Sequence, residues 1–201
     1  VRKDYIFKNE VLKDFDFKNK RVLTVEAHRR ENLGTPLENI CQAVRTIANS
    51  FDDVEIIYPV HLNPAVRETV EKVLGNHAKI HLIDPIDVQD MHNLIDRSYM
   101  ILTDSGGLQE EAPSLGKPVL VLRNETERPE AVKAGTVALA GTDKENIISL
   151  ASKLLNNTEE YSKMSKAVNP YGDGNASQRI VQALLYEFGF TDVKPKDFLS
   201  V

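Results

Sequence analysis

Short apolar runs alternate with longer segments whose apolar residues recur at helical spacing, from residue 21 to residue 188. The runs cover residues 21–26, 55–60, 79–83, 99–103, 118–122 and 136–139, and several are apolar at both odd and even positions. Strands with such a pattern are covered on both faces, as they are in parallel sheets. The pattern therefore predicts an α/β fold, a Rossmann-like parallel sheet with helices on both faces.

Helical spacing is clearest in three segments. One contains Leu37, Ile40, Cys41, Val44, Ile47, Ala48 and Phe51, the next runs from Ile147 to Leu155, and the last runs from Ile180 to Phe188. Each segment is predicted to be an amphipathic helix. Cys41 lies on the apolar face of the first, so we interpret it as a core residue rather than a nucleophile.

Both ends of the chain lack this pattern. In residues 1–20, lysines and acids are interleaved with aromatic residues without a helical or strand period, which predicts a linker or a segment lying on another surface. Residues 189–201, which include Lys194-Pro195-Lys196, are predicted to form a peripheral tail. Because the first residue is Val1 rather than methionine, we expect a fragment of a longer protein.

Composition narrows the function classes. The net charge of −5 argues against nucleic-acid binding driven by charge. A single cysteine excludes an internal disulfide framework and fits a reducing cytoplasm. No apolar run approaches the roughly 20 residues that span a bilayer, and the start of the chain lacks the apolar core of a signal peptide. We therefore expect a cytoplasmic protein with no nucleic-acid partner and no membrane partner.

The stretch from Met100 to Val121 carries the strongest signal for chemistry. A strand-like run ends at Asp104, and Ser105-Gly106-Gly107 opens a helix-like segment that stops near Gly116. Glycine has no Cβ, so a ligand can approach the backbone closely. The start of a helix adds unpaired N–H groups and the positive end of the helix dipole. The stretch predicts a phosphate or nucleotide site at the carboxyl end of the sheet.

Three other strand ends place polar residues at the same edge. His28, Arg29 and Arg30 follow the first run, His61 follows the second, and Arg128 follows the fifth. Open α/β sheets bind ligands at this edge, and the guanidinium group suits phosphate. The alternatives are a solvated loop with local ion pairs for the first group and a capping or packing role for His61. Their common location favours a ligand site.

Two carboxylates, Glu110 and Glu111, follow Gly107 within one helical turn. They are poorly placed for phosphate but well placed to accept hydrogen bonds from paired hydroxyls, such as those of a ribose. The alternative is that the positive end of the helix merely stabilises them.

Spacing and fold class exclude other motifs. Residues 104–107 resemble the nucleophile segment of trypsin-like serine proteases, but those proteins are all-β barrels with disulfides. The dinucleotide fingerprint G-x-G-x-x-G and the P-loop are absent from the sequence. His77 and His81 have no cysteine or acidic partner at metal-ligand spacing, so we expect no metal site.

Six motifs together resemble the bacterial non-hydrolysing UDP-N-acetylglucosamine 2-epimerases: HRREN, YPVHLNP, DSGGLQEEAPSLGKPVLVLR, TERPEAV, AGT and NPYGDGNAS. They cover roughly residues 21–188. The resemblance implies two Rossmann-like domains arranged as in B-type glycosyltransferases. Residues 21–188 would be the UDP-binding carboxyl-terminal domain, and residues 1–20 the linker from an amino-terminal domain that supplies the proton-moving acids in this family.

The implied reaction interconverts UDP-N-acetylglucosamine and UDP-N-acetylmannosamine by elimination and re-addition of UDP, with no nicotinamide or other cofactor. This chain would be the UDP-binding half and inactive alone. The full-length protein would be a homodimer that serves cell-wall polysaccharide biosynthesis. The alternatives are a UDP-sugar glycosyltransferase domain, which would add an acceptor site, and a non-catalytic nucleotide-sugar binding module.

The resemblance also gives roles to individual residues. Ser105, Gly106 and Gly107 resemble diphosphate contacts, Glu111 a ribose contact, and Arg128 and His28 groups at the phosphate and leaving-group end, with His28 catalytic. The backbone of Ile86 and the side chain of Met91 resemble the uracil pocket, where many relatives carry an aromatic residue in place of Met91. Arg29 and His61 resemble a regulatory site for a second UDP-N-acetylglucosamine.

Overall fold

A six-stranded parallel sheet forms the centre of the computed structural model, which describes residues 1 and 3–198. The strands are β1 (Arg21–Glu26), β2 (Val54–Pro59), β3 (Ile80–Ile83), β4 (Met100–Thr103), β5 (Val119–Val121) and β6 (Val137–Leu139). Each of the six predicted runs overlaps one of these strands, with boundaries that agree within one residue. The α/β fold class predicted from the sequence is confirmed.

The strand order creates a crevice. Neighbours lie in the order β3-β2-β1-β4-β5-β6, and all pair in parallel. The chain therefore leaves β1 towards one side of the sheet and returns to β4 on the other side. Open sheets bind ligands outside the carboxyl ends of the strands at such a reversal, which places the expected site between β1 and β4.

Helices connect successive strands, and three more helices come after the last strand. They are α1 (Glu10–Lys13), α2 (Thr35–Ser50), α3 (Pro64–Leu74), α4 (Val88–Arg97), α5 (Gly106–Ser114), α6 (Pro129–Ala134), α7 (Lys144–Asn156), α8 (Thr158–Ser165) and α9 (Ala176–Glu187). A 3₁₀ turn, Arg30–Asn32, lies between β1 and α2. Several helix starts follow directly from the sequence: Asp87 and Asp143 cap α4 and α7, and proline opens α3 and α6.

The two faces of the sheet are covered by different helices. Leu23 and Val25 of β1 pack in a buried cluster with residues of α2, α3 and α7, and Cys41 of α2 is fully buried there. Burial raises the pKa of the Cys41 thiol to about 12. Val22 faces the opposite side, where α4 and the amino-terminal segment cover it. This alternation explains why the strands are apolar at both parities, and it confirms Cys41 as a core residue.

The amino-terminal segment packs on the sheet and on α4. Phe7 and Leu12 are buried, and Asp90 of α4 accepts hydrogen bonds from the Tyr5 hydroxyl at 2.7 Å and the Asn9 N–H at 3.0 Å. Residues 5–12 thus lie on a surface of the same chain. A linking role for residues 1–20, and the domain boundaries at residues 21 and 188, stay predictions.

The last helix forms where the sequence predicts it, but its apolar face is exposed. Ile180, Leu184 and Phe188 are 61%, 53% and 71% exposed, and no residue of α9 is buried. The faces of the sheet are already covered by the earlier helices, so α9 lies outside the core. Among the described residues, no helix combines the length and the apolarity needed to cross a membrane.

Candidate functional site

Asp104, at the end of β4, joins the two halves of the sheet at the crevice. Its carboxylate is fully buried and accepts hydrogen bonds from the backbone N–H of His28 at 2.9 Å and of Arg29 at 2.8 Å. The side-chain amide of Asn32 donates to the same carboxylate at 2.9 Å. Burial raises the pKa of Asp104, and the bonds from Arg29 and Asn32 oppose that rise. The loop after β1 is therefore fixed against β4.

Two guanidinium groups meet at the start of α5. A Cβ built on Gly106 would lie 3.6 Å from Nη2 of Arg128 and 3.8 Å from Nη2 of Arg29. The two arginines come from different loops, after β5 and after β1. Their charges add to the positive end of the α5 dipole, an arrangement that suits an anion such as phosphate.

Neighbouring groups orient Arg128 without using all of its donors. Its Nε donates to the carboxylate of Glu110, which raises the pKa of Arg128, and its Nη1 donates to the carbonyl of Glu127 at 3.3 Å. Its backbone N–H donates to Thr126 Oγ1 at 3.0 Å, and the Thr126 hydroxyl donates to Gln109 at 2.6 Å. Within residues 1 and 3–198, Nη2 has no hydrogen-bond acceptor, so it remains available to a ligand.

The space above Gly106 is not filled by protein. The Cβ distances of 3.6 and 3.8 Å are ordinary van der Waals contacts, so the unliganded protein does not require glycine there. The N-cap residue Ser105 makes no side-chain capping bond to α5. Its own N–H donates to Thr103 Oγ1 at 3.0 Å. The first N–H groups of α5 are thus presented at an uncapped helix start next to two arginines.

The rings of His28 and His61 stack on each other. Their ring centroids are 4.7 Å apart, and their planes differ by 8°. Nδ1 of His28 lies 2.8 Å from a carboxylate oxygen of Glu26, and pairing with Glu26 raises the pKa of His28. Arg29 lies at Gly106 and His61 lies on His28, so both residues predicted for a regulatory site adjoin residues predicted for the UDP site.

Glu111 of α5 contacts the first half of α4. Oε2 of Glu111 lies 3.2 Å from His92, and Oε1 would lie 3.8 Å from a Cβ on Gly107. Met91 packs against the buried cluster that contains Leu108 and Ala112 of α5, whereas Ile86 packs against the cluster under α4. His92, a half-buried residue of α4, therefore adjoins Glu111, the predicted ribose contact.

A cavity beside α5 has a volume of ≈ 540 Å³. Glu110, Glu111 and Tyr171 contribute to its lining. Ligand pockets in proteins commonly measure roughly 300–1,000 Å³. The space next to the carboxylates is therefore large enough for a nucleoside.

One group of side chains has the spacing of metal ligands. Glu26, His28 and Asp104 each place a ligand atom within 4.8 Å of the others. The Asp104 oxygens already accept hydrogen bonds from three donor groups, and Thr103 donates to Glu26 at 2.9 Å. Because these lone pairs are engaged within the protein, we assign no metal to the group.

The roles of Asp104, Asn32 and Glu26 were not predicted from the sequence. Asp104 lies within a recognised motif, but its partners are 72 to 76 residues away along the chain. Only the pairing of β1 with β4 brings them together. Glu26 is the last residue of β1 and carries no local signal beyond its charge.

The fold alone defines a class. The carboxyl-terminal domain of a group 1 family glycosyltransferase, LpcC, from Francisella tularensis superposes with a TM-score of 0.58 over 81% of this chain and 90% of that domain, at 13% identity. The chain thus has the Rossmann-like fold found in glycosyltransferase domains.

Sequence comparison defines the family. The family described as UDP-N-acetylglucosamine 2-epimerase matches residues 1–185, so the chain belongs to this family. The UDP-N-acetylglucosamine 2-epimerase of Bacillus subtilis is 58% identical over 178 residues, which are 89% of this chain and 47% of that protein. The chain spans about half the length of the curated relatives it matches.

Two solved relatives have the same fold and hold ligands. S. aureus MnaA, solved with UDP, has a TM-score of 0.88 and 49% identity over 96% of this chain and 52% of that chain. The UDP-GlcNAc 2-epimerase of Neisseria meningitidis, solved with UDP-GlcNAc, has a TM-score of 0.80 and 48% identity over 83% of this chain and 45% of that chain.

Proposed function

We propose that this chain is the UDP-binding part of a cytoplasmic UDP-N-acetylglucosamine 2-epimerase, which forms UDP-N-acetylmannosamine for polysaccharide synthesis. The convergence of Arg29 and Arg128 on Gly106 carries the proposal, because it supplies two cations and a helix start to one diphosphate. The relatives solved with UDP and with UDP-GlcNAc support the choice of nucleotide. We include the homodimeric state of the full-length protein in this proposal.

The proposed reaction places a defined demand on this half. UDP leaves the anomeric carbon as the proton on the acetamido-bearing carbon is removed, and it re-adds after reprotonation on the opposite face. Negative charge on the diphosphate rises as the bond to the sugar breaks. Bonds within the protein hold Arg128 and Arg29 beside the amides after Ser105, so these groups would stabilise that charge without reorganisation.

The other predicted site residues would contact the remaining parts of the nucleotide. Glu111 would accept hydrogen bonds from the ribose hydroxyls, and Met91 and the Ile86 backbone would hold the uracil. A thioether can pack against a ring, so Met91 can serve where an aromatic residue would stack. His28 would donate to the diphosphate at the leaving-group end. Arg29 and His61 would form the edge of a neighbouring regulatory site.

Thermal unfolding with UDP tests the nucleotide assignment. UDP at about 100 times its dissociation constant should raise the free energy of unfolding by about 2.7 kcal/mol. Uridine, which lacks the diphosphate, should give a much smaller shift at equal concentration. Glu111→Ala should reduce the UDP shift, and the control Glu145→Ala, on α7, should retain it. Equal shifts for UDP and uridine would contradict the diphosphate site.

A second candidate function is a non-catalytic nucleotide-sugar binding module. Its supporting observation is that the groups gathered at Gly106, two guanidinium groups and a helix start, suit the binding of an anion. We expect these 201 residues to bind UDP without turnover. Incubation with UDP-N-acetylglucosamine and NMR detection of the manno epimer separates the two, because epimerisation by this chain alone would refute the prediction. A glycosyltransferase function rests on likeness of fold alone.

A further inference from the structure

Glu26 lies beneath the histidine of the site and is held on both of its oxygens. Oε1 lies 2.8 Å from Nδ1 of His28, and Oε2 accepts a hydrogen bond from the Thr103 hydroxyl at 2.9 Å. The carboxylate is 17% exposed, so it is mostly withdrawn from solvent. Thr103 ends β4, the neighbouring strand, and therefore fixes Glu26 across the crevice.

This pairing determines which nitrogen of His28 can serve a ligand. A carboxylate at Nδ1 favours the proton on that nitrogen and leaves Nε2 as the second functional atom. Within the described part of the chain, Nε2 has no hydrogen-bonding partner. His61 fixes the ring plane by stacking, and its own Nδ1 accepts the N–H of Asn63 at 3.1 Å.

We propose that Glu26 is a positioning residue for His28: it holds the imidazole by Nδ1, so that protonated Nε2 donates a hydrogen bond to the diphosphate. The inference rests on the proposed function, because the diphosphate is the acceptor it requires. Glu26 itself does not contact the nucleotide in this arrangement. It acts through the orientation and the charge of the ring.

The charges around His28 support this role. Hydrogen bonding to Glu26 raises the pKa of His28, and the Asp104 carboxylate, 4.0 Å from Nδ1, acts in the same direction. Burial and the nearby Arg29 lower it. His61, which stacks on the His28 ring, is the other titratable group in contact with it. With Glu26 present, the imidazolium form persists to higher pH, where the diphosphate is fully ionised.

Glu26→Gln tests the pairing without a ligand. The His28 ring signal, identified by its loss in His28→Gln, is titrated by NMR in this chain. Its midpoint should move to lower pH in Glu26→Gln, and Glu26→Asp, which keeps the charge, should restore part of the shift. The matched control is Glu55→Gln, because Glu55 is also 17% exposed and lies 2.7 Å from His81. An unchanged His28 midpoint in Glu26→Gln would overturn the proposal.

The pH profile of UDP affinity tests the positioning role. Above the His28 midpoint of the variant and below that of the native chain, Glu26→Gln should bind UDP about tenfold more weakly, since it loses one charge-assisted hydrogen bond. At lower pH, where His28 is protonated in both, the affinities should converge. A deficit that is equal at every pH would show a merely structural role and overturn the proposal.

The two readouts separate this inference from the proposed function. If the native chain binds no UDP at any pH, the proposed function fails. The positioning role of Glu26 then fails with it. If UDP binds with the native profile in Glu26→Gln although the His28 midpoint has moved, the nucleotide site stands and the role of Glu26 fails.

Discussion

Arginines lie at both ends of this sheet, and they differ in how many of their donors the protein uses. Arg21, at the amino end of β1, donates to both oxygens of Asp53 at 2.6 and 2.9 Å and to the carbonyl of Leu155 at 2.6 Å. Its guanidinium carbon also lies 5.3 Å from the ring centroid of Tyr99. Each nitrogen of the Arg21 guanidinium group thus donates a hydrogen bond within the protein, and the plane of the group contacts an aromatic ring.

The arginines at the carboxyl end are oriented but not satisfied. Arg128 is held by Glu110 and Glu127 through Nε and Nη1, and Arg29 donates through Nε to the carbonyl of Asp104 at 3.2 Å. Among the residues described, no acceptor meets Nη2 of either one. The comparison teaches that residue type and charge do not separate a structural arginine from one proposed to bind a ligand. The two kinds of arginine differ in how many of their hydrogen-bond donors already have an acceptor within the protein.

The largest effect is expected for Arg128→Ala on UDP affinity. If Arg128 faces the phosphates as proposed, its loss removes up to two charge-assisted hydrogen bonds, so the dissociation constant should rise about 100-fold. The free energy of unfolding should change by no more than about 0.5 kcal/mol, because the side chain lies at the surface of the crevice. Titration calorimetry and thermal unfolding measure the two quantities. A loss of stability without a loss of affinity would reverse the comparison.

Arg21→Ala should show the opposite behaviour. It strips Asp53 and the Leu155 carbonyl of their partner, and the free energy of unfolding should fall by about 2 kcal/mol. The affinity of the remaining folded protein for UDP should be unchanged. Denaturant unfolding and calorimetry of the same sample provide the test. Weaker UDP binding at a temperature where Arg21→Ala is fully folded would refute the division of roles.

Gly106→Ala sharpens the comparison at the binding end. The methyl group fits the unliganded protein, since its nearest neighbours would be 3.6 Å away, so stability should hold or rise by up to about 1 kcal/mol. It would occupy the space through which the diphosphate reaches the backbone, and UDP affinity should fall about tenfold. Native affinity in this variant would show that the ligand does not approach α5 at Gly106.

The smallest effect concerns the pH dependence of stability. Because pairing with Glu26 raises the pKa of His28 above its unfolded value, the pair contributes fully below the unfolded pKa of about 6.5. That contribution is lost as pH rises through the raised, folded pKa. The stability advantage of the native chain over Glu26→Gln should therefore shrink across this interval. Urea unfolding at a series of pH values measures it, and an advantage that grew with pH would contradict the sign.

Local pattern was sufficient for the strands and for α2, α5, α7 and α9, since burial leaves its mark at regular positions of a strand or a helix. The convergence of His28, Gly106 and Arg128 followed from one rule, that parallel strands end at the same edge. The family resemblance then narrowed the expected ligand from a phosphate or nucleotide to UDP. None of these steps required knowledge of a side-chain contact.

Side-chain contacts across the crevice could not be predicted. The bonds from His28 and Asn32 to Asp104, and the pairing of Arg128 with Glu110, depend on rotamers and on strand order rather than on spacing. The sequence likewise gives no sign that the apolar face of α9 is exposed, because helical periodicity marks an apolar face and not its neighbour.

Amide NMR mapping with UDP tests most directly whether loops from separate βα units meet at one ligand. Shift changes should concentrate at residues 28–29, 105–107, 111 and 128, and the amides of Arg21 and Asp53 at the opposite edge should stay unchanged. Saturable changes centred on the Arg21 edge, or no changes at millimolar UDP, would contradict the proposed site.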